Sequence, residues 1–161
     1  MVMGTASTMA SLAEALGMML PGLAAVPAVH SRRLRLAEES GRRIVAMIGE
    51  GLTPAKIMTR EAFENAIVVN SALGGSTNAP IHLNAIAAHL GIALSNGDWE
   101  EFGHAVPLLV NMQPVGTYLG EDFHRAGGTA AVIGELLRAG LLPHPDALTV
   151  TGQTIAELYT D

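Results

Sequence analysis

The 161-residue chain contains no cysteine. A chain without thiols forms no disulfide, offers no thiolate to a metal and has no cysteine nucleophile. Aromatic residues are scarce at 4%, charged residues make up only 15%, and the formal net charge is −6. Proteins that bind nucleic acids carry basic surfaces, so this acidic composition predicts no nucleic-acid partner.

Long hydrophobic runs are also missing from the sequence. No run approaches the ~20 apolar residues that a membrane span needs. The first residues lack the basic start and the apolar core of a signal peptide. We therefore expect a cytoplasmic protein that has no membrane partner. The chain is nevertheless 49% apolar, which is enough for one domain with a hydrophobic core.

A glycine turn followed by a helix start marks the segment from 70 to 90. Its central residues are Gly74, Gly75, Ser76, Thr77 and Asn78. Adjacent glycines let the backbone turn sharply or approach a ligand, while Ser, Thr and Asn cap helices. The start of such a helix can bind an anionic group through its N–H groups and its dipole. Composition alone favours a tight turn with a capped helix, and the binding role stays open as the alternative.

Helical spacing of apolar residues dominates the rest of the chain. Helices are predicted over 6–18, 31–49, 54–58, 59–72, 78–89, 98–104, 121–125, 129–139 and 154–159. Short strands are predicted over 107–112 and 148–151. The predicted fold class is α/β, with a helix-rich layer around a small, mostly parallel sheet. In the helix over 31–49 the predicted buried residues are Leu34, Leu36, Ala37, Ile44, Val45 and Ile48.

Three groups of polar residues are candidate sites. They are His82 with His89, the acidic group Asp98, Glu100 and Glu101, and the mixed group Glu121, Asp122 and His124. The histidines are seven residues apart, too far to hold one ion as a pair on a helix. The acidic group is typical of a solvated helix start. The mixed group could transfer protons or form a capped connector, and neither reading names a reaction.

Four segments, in their order and spacing, resemble one family of dehydratases. They cover 3–22 (MGTASTMASLAEALGMMLPG), 70–92, 106–128 and 147–158. The family comprises dihydroxy-acid dehydratase, phosphogluconate dehydratase and the sugar-acid dehydratases for arabinonate and xylonate. Gly4 stands where the branched-chain enzymes have tyrosine, so the wording MGTAST is most similar to the sugar-acid branch.

The resemblance implies a hydro-lyase that converts a 2,3-dihydroxy acid or sugar acid to a 2-keto-3-deoxy acid. It also implies a 2Fe–2S cluster, a Mg²⁺ ion, an activated serine as base and a homo-oligomeric enzyme. The family's third cluster cysteine would directly precede Met1. Its other cysteines and Mg²⁺ ligands lie further upstream, and its serine lies in a later β-rich domain. Residues 1–161 are thus expected to be part of the N-terminal domain, with no catalytic residue and no metal ligand, and to be inactive alone.

Two groups of residues are expected near the cluster or the substrate. Thr5 and Ser7 would follow the missing cysteine at a helix start, and residues 74–78 form the second group. Removal of the rest of the enzyme would expose apolar surface, so the isolated chain is expected to associate. The alternatives are a short non-catalytic binding or assembly module derived from the family, and a gene remnant without function.

Overall fold

Helices hold 56% of the chain in the computed structural model, which describes residues 1–160. The helices are α1 (Thr5–Ala15), α2 (Ser31–Glu50), α3 (Pro54–Ile57), α4 (Arg60–Leu73), α5 (Ala79–His89), α6 (Asn96–Gly103), α7 (Gly120–Arg125), α8 (Gly128–Arg138) and α9 (Ile155–Tyr159). Each corresponds to a predicted helix, with bounds that differ by at most three residues. Among residues 1–160 no helix is both long and apolar enough to cross a bilayer.

Helix α4 forms the centre of the fold. It begins at Thr59, whose Oγ1 accepts the N–H of Ala62 at 3.4 Å, and ends at Gly74 in the left-handed conformation. Ten of its fourteen residues are buried, Phe63 and Ile67 among them. Helices α1, α5, α6 and α8 pack around it. Because most of the apolar surface of α4 is buried, the helix depends on the helices that cover it.

The predicted sheet is absent from residues 1–160, so the α/β fold class is wrong. Only isolated bridges occur in the two predicted strands, Met112 with Tyr118 and Leu148 with Thr154. In 107–112, the N–H of Leu109 bonds to the carbonyl of Ala72 at 2.9 Å, at the end of α4. One backbone group that a sheet would pair, the N–H of Leu109, is therefore satisfied by a helix end.

The segment 148–151 is a single bridge residue, Leu148, followed by a turn over 150–151, rather than a strand. The N–H of Val150 donates to the carbonyl of Gly17 at 2.7 Å. Gly17 has φ of +75°, and a Cβ there would lie 2.5 Å from the carbonyl oxygen of Leu148. This close approach requires glycine and ends α1 earlier than the predicted 18.

The predicted buried face of α2 is also wrong. Leu36 is buried, but the other predicted members, Leu34, Ala37, Ile44, Val45 and Ile48, are exposed. Met47 is the second buried residue of this helix, and it packs with Ile57 and Val150. The helix therefore contacts the domain through the side that carries Leu36 and Met47. Sequence periodicity identified the apolar stripe of α2 without showing which side meets the core.

Candidate functional site

A cavity of about 550 Å³ lies between three segments of the chain. They are the start of α1 (3–5), the turn between α4 and α5 (73–77), and the loop over 108–116. Two of the segments are the ones that the sequence predicted to lie near a ligand. They are about seventy residues apart in sequence, and the fold brings them to one cavity.

Hydrogen bonds between hydroxyl and amide groups join the start of α1 to the turn before α5. Thr5 Oγ1 lies 3.0 Å from Ser76 Oγ and accepts the Asn78 side-chain N–H at 2.9 Å. The backbone N–H of Ser76 donates to Thr8 Oγ1 at 3.0 Å. We call these four residues, Thr5, Thr8, Ser76 and Asn78, the hydroxyl cluster. It fixes the two helix starts relative to each other.

Glycines at 74 and 75 allow the turn to pack closely. Gly74 has φ of +61°, and a Cβ there would lie 2.8 Å from Leu108 Cδ1 in the loop across the cavity. A Cβ on Gly75 would lie 2.2 Å from Asn70 Oδ1. That oxygen is the one buried side-chain polar atom of residues 1–160 without a hydrogen-bond partner. The glycines therefore serve close packing as well as the turn.

Five of the seven predicted site residues line the cavity, namely Thr5, Gly74, Gly75, Ser76 and Thr77. Ser7 does not, because its hydroxyl donates to the carbonyl of Val2 at 2.9 Å. Asn78 also lies outside the lining, and its side chain bonds to Thr5 instead of capping α5. That these residues bind a cluster or a substrate stays a prediction.

Sequence reasoning missed two polar residues at the site, Thr8 in the hydroxyl cluster and Asn111 in the cavity lining. Thr8 is completely buried in α1 and belongs to the hydroxyl cluster. Asn111 lines the cavity, and its Oδ1 accepts the N–H of Thr117 at 2.9 Å, which shapes the loop. A threonine one turn into an apolar helix was the available signal for Thr8. No local pattern distinguishes Asn111 from other loop asparagines.

Helix dipoles provide the electrostatics of the cavity. Gly4 is the N-cap of α1 and Asn78 that of α5, and neither helix has a side-chain cap or an acidic residue in its first turn. Both starts adjoin the cavity, and each contributes partial positive charge. None of the lining residues in the described chain carries a charged side chain. The cavity is suited to hold oxygen atoms of an anionic ligand but supplies no acid or base.

The donor set of the cavity does not fit an iron–sulfur cluster. Such clusters are bound mainly by cysteine thiolates, whereas the polar side chains here are hydroxyls and an amide. The chain also contains no cysteine. Hydroxyls and N–H groups can surround a bound group, but residues 1–161 cannot supply its thiolate ligands.

The acidic group at α6 has a structural role. Asp98 accepts the N–H of Ser95 at 2.6 Å and pairs with Arg60. The Ser95 N–H and then the Arg60 guanidinium lower the pKa of Asp98 to about 2. The neighbouring Trp99 donates to Asn84 Oδ1 at 3.0 Å. The carboxylate therefore caps a helix and anchors it to α4.

The mixed group at α7 is also divided among structural contacts. Glu121 pairs with Arg125 at 2.7 Å, and Asp122 accepts the N–H of Leu119 at 3.0 Å. His124 meets the ring of His30 edge-on, with centroids 5.6 Å apart. Burial, and then His30, lower the pKa of His124. These contacts favour the capped-connector reading over proton transfer.

The two histidines of α5 do not form a shared site in the described structure. His82 and His89 are both exposed. No group of three or more His, Asp or Glu residues within 1–160 could hold a metal ion.

Comparison with known proteins identifies the family of this chain. Residues 1–158 match the family described as Dihydroxy-acid/6-phosphogluconate dehydratase N-terminal. The chain is 52% identical over 155 residues to the D-xylonate dehydratase of Caulobacter vibrioides, covering 96% of this chain and 26% of that protein. It is 59% identical over 149 residues to the L-arabinonate dehydratase of Rhizobium leguminosarum, covering 92% and 26%. A dihydroxy-acid dehydratase of Ignicoccus hospitalis is 53% identical over 157 residues, covering 98% and 28%.

These relatives bear on the resemblance seen in the sequence. All three are named as dehydratases, and this chain spans about a quarter of their length. They include sugar-acid and dihydroxy-acid enzymes at comparable identity, so they support the family without choosing a branch. The chain belongs to the dihydroxy-acid/6-phosphogluconate dehydratase family.

Proposed function

We propose that residues 1–161 form part of a hydro-lyase that dehydrates a sugar acid or 2,3-dihydroxy acid to a 2-keto-3-deoxy acid. Two sugar-acid dehydratases that are 52% and 59% identical support the substrate class. The observation that carries the proposal is the hydroxyl cluster, which joins two helix starts at the 550 Å³ cavity.

The cavity has the donors that such a substrate requires. A sugar acid presents a carboxylate and several hydroxyls, which hydroxyl groups and helix N-termini bind well. In this proposal, Thr5 and Ser76 bind substrate oxygens or polar atoms of a neighbouring cofactor. Thr8 and Asn78 hold these two side chains in place.

The groups that perform the reaction lie outside this chain in the proposed enzyme. The family resemblance assigns it a 2Fe–2S cluster and Mg²⁺, which would assist departure of hydroxide and loss of the C2 proton. Their ligands and the serine base belong to an upstream half-domain and a downstream β-rich domain. The proposed intact enzyme is a cytoplasmic homo-oligomer, and this chain alone is catalytically inert.

A chimeric enzyme tests the proposal. In the Rhizobium leguminosarum L-arabinonate dehydratase, the matching segment is replaced by this chain. Formation of 2-oxo acid from L-arabinonate is then measured, with the isolated chain assayed in parallel. We expect activity in the chimera and none in the isolated chain. In the chimera, Thr5→Val and Ser76→Ala should each lower kcat/KM by about tenfold or more, since each removes a hydroxyl that positions substrate or cofactor.

The matched control is Ser40→Ala, which removes a hydroxyl on α2 that bonds to the Leu36 carbonyl. It should leave kcat/KM unchanged. A chimera that folds and binds its cofactors but is inactive would contradict the proposed role of the chain. Full activity of both the Thr5→Val and the Ser76→Ala chimera would contradict the role of the hydroxyl cluster.

A further inference from the structure

Asn96 is followed by glycine, and the sequence contains no other Asn-Gly pair. Asn96 and Gly97 begin α6, and both residues are exposed. A glycine after asparagine has no side chain to shield its backbone nitrogen, so that nitrogen can reach the side-chain amide of the asparagine. An Asn-Gly pair is therefore chemically able to modify itself, and the structure decides whether its two reacting groups are accessible.

The fold holds the other five asparagines in place. Four of them make side-chain hydrogen bonds, namely Asn65, Asn78, Asn84 and Asn111. Asn70 lies inside α4, and its Oδ1 is buried. Within residues 1–160 the side chain of Asn96 makes no hydrogen bond, although the flanking Ser95 and Asp98 bond to each other. Asn96 is therefore the asparagine whose side chain can rotate towards the backbone.

The backbone nitrogen of Gly97 is accessible as well. Gly97 is the second residue of α6, and the first N–H groups of a helix have no partner inside it. The carbonyl of Ala93, one turn earlier, accepts the Arg60 guanidinium at 2.5 Å instead. Asn96 must leave its helical backbone angles to bring its Cγ to the Gly97 nitrogen. Helix ends open at a low cost in free energy, so the first residue of α6 can make this change.

We propose that Asn96 is a site of spontaneous deamidation and isoaspartate formation. The Gly97 nitrogen loses its proton to solvent, attacks Cγ of Asn96 and closes a succinimide ring, while the side-chain nitrogen takes a proton from water and leaves as ammonia. Water then adds to one of the two ring carbonyls and opens the ring. Cleavage of the bond from Cγ to the Gly97 nitrogen gives aspartate. Cleavage of the bond from the main-chain carbonyl carbon of residue 96 gives isoaspartate, in which the main chain runs through the former side chain.

Isoaspartate at position 96 weakens the attachment of α6 to α4. It adds one carbon to the main chain between Ser95 and Asp98. The Asp98 carboxylate accepts the Ser95 N–H at 2.6 Å and pairs with Arg60 of α4, and both contacts require the helical spacing of residues 95–98. Aspartate at position 96 keeps this spacing and places a negative charge at a helix start, which is favourable. The two products therefore have opposite effects on α6.

Peptide mass spectrometry of the folded 161-residue chain, incubated in mildly alkaline buffer, tests the site. Asn96 should gain one mass unit faster than any other asparagine, and unfolding in urea should accelerate the other five by a larger factor than Asn96. Gly97→Ala should slow the change at Asn96 by about tenfold or more, because a methyl group shields the nitrogen. The control is Gly49→Ala, the same change in α2, where a Cβ meets nothing within 4 Å. An unmodified Asn96, faster change at another asparagine, or equal rates in the two variants would overturn the proposal.

Thermal unfolding of the separated products tests the effect on α6. Ion exchange isolates the chains that have gained a carboxylate, and fragmentation in the mass spectrometer identifies those with isoaspartate at position 96. These chains should unfold about 2–4 °C below the original chain. Asn96→Asp, which has the same charge and a normal main chain, should unfold at or above the temperature of the original chain. If the isoaspartate product is as stable as Asn96→Asp, the proposed effect on the attachment of α6 is wrong.

Discussion

Glu14 shows how one buried side chain holds a long loop in place. It is completely buried in α1, and its two oxygens accept the N–H groups of Gly22 at 2.7 Å and Ala24 at 3.0 Å. Tyr159 of α9 donates to the same carboxylate at 3.4 Å. The loop between α1 and α2 is therefore tied to α1, while Tyr159 brings the last helix to the same point. Burial raises the pKa of Glu14 above the ordinary 4.5, although these hydrogen bonds oppose the shift.

The raised pKa of Glu14 predicts a pH dependence of stability. The folded protein binds this proton more tightly than the unfolded chain, so the free energy of unfolding falls as pH rises through the window just above 4.5. Glu14→Gln cannot ionise, so this decrease should disappear. The variant should also lose about 1–3 kcal/mol near pH 4, because an amide cannot accept both N–H groups.

Urea unfolding from about pH 4 to about pH 7 measures both effects of Glu14→Gln. Relative to the original chain, the variant should become more stable as pH rises across the window. Glu38→Gln changes an exposed carboxylate of α2 and is the control. Identical pH profiles for the original chain and Glu14→Gln would contradict the prediction.

At the scale of elements, ion pairs and side-chain amides attach peripheral segments to α4. Arg60 pairs with Glu64 at 2.5 Å and also with Asp98 of α6. Glu64 meets His144 Nε2 at 2.5 Å. The Asn65 side-chain N–H donates to the carbonyl of His144 at 2.7 Å, and Asn65 Oδ1 accepts the N–H of His144 at 3.0 Å. One side of α4 thus fixes α6 and the loop before α9.

Asp98→Asn should destabilise the attachment of α6. Asp98 completes the capping box with Ser95 and contacts Arg60, so its loss should lower the free energy of unfolding by about 1–2 kcal/mol at neutral pH. In the original chain this stabilisation is present above the ordinary pKa of 3.8 and is lost as pH falls towards about 2.

Thermal unfolding measured at neutral pH and in acid checks the Asp98→Asn prediction. Glu101→Gln is the control, because it removes an exposed carboxylate from the same helix. If the Asp98→Asn and Glu101→Gln variants are equally stable at neutral pH, the contacts of Asp98 do not stabilise α6.

For the whole molecule, burial is concentrated around α4, while two apolar surfaces stay open. One is the exposed stripe of α2, which carries Leu34, Ile44, Val45 and Ile48. The other borders the cavity, where Leu108 is 60% and Val115 is 90% exposed. The chain spans about a quarter of the length of the relatives it matches. Association of the isolated chain stays a prediction.

Phe63→Ala tests the central position of α4. Phe63 is completely buried in the core, so its truncation should cost about 3–5 kcal/mol of unfolding free energy. Leu34→Ala on the exposed stripe should change it by no more than about 0.5 kcal/mol in dilute solution. Chemical denaturation at low protein concentration measures the free energy of unfolding of both variants. If Leu34→Ala loses as much of it as Phe63→Ala, then Leu34 packs on the core.

The sequence predicted the helices because their signals are local. Apolar spacing, Thr59 as a cap and the glycine at 74 act within one or two helical turns. The family was recognisable for a similar reason, since its motifs are continuous stretches of chain. The strand predictions were wrong because an apolar run such as 107–112 does not encode a partner strand; here its Leu109 N–H bonds to the end of α4.

The sequence by itself thus determined the helix positions, the family and two of the three segments that line the cavity. Tertiary structure alone decided which side of α2 is buried and that Thr5 bonds to Ser76 and Asn78. Periodicity identifies an apolar stripe but contains no information about its partner. A hydrogen bond between residues about seventy positions apart depends on how α1, α4 and α5 pack, and no local pattern encodes that distance.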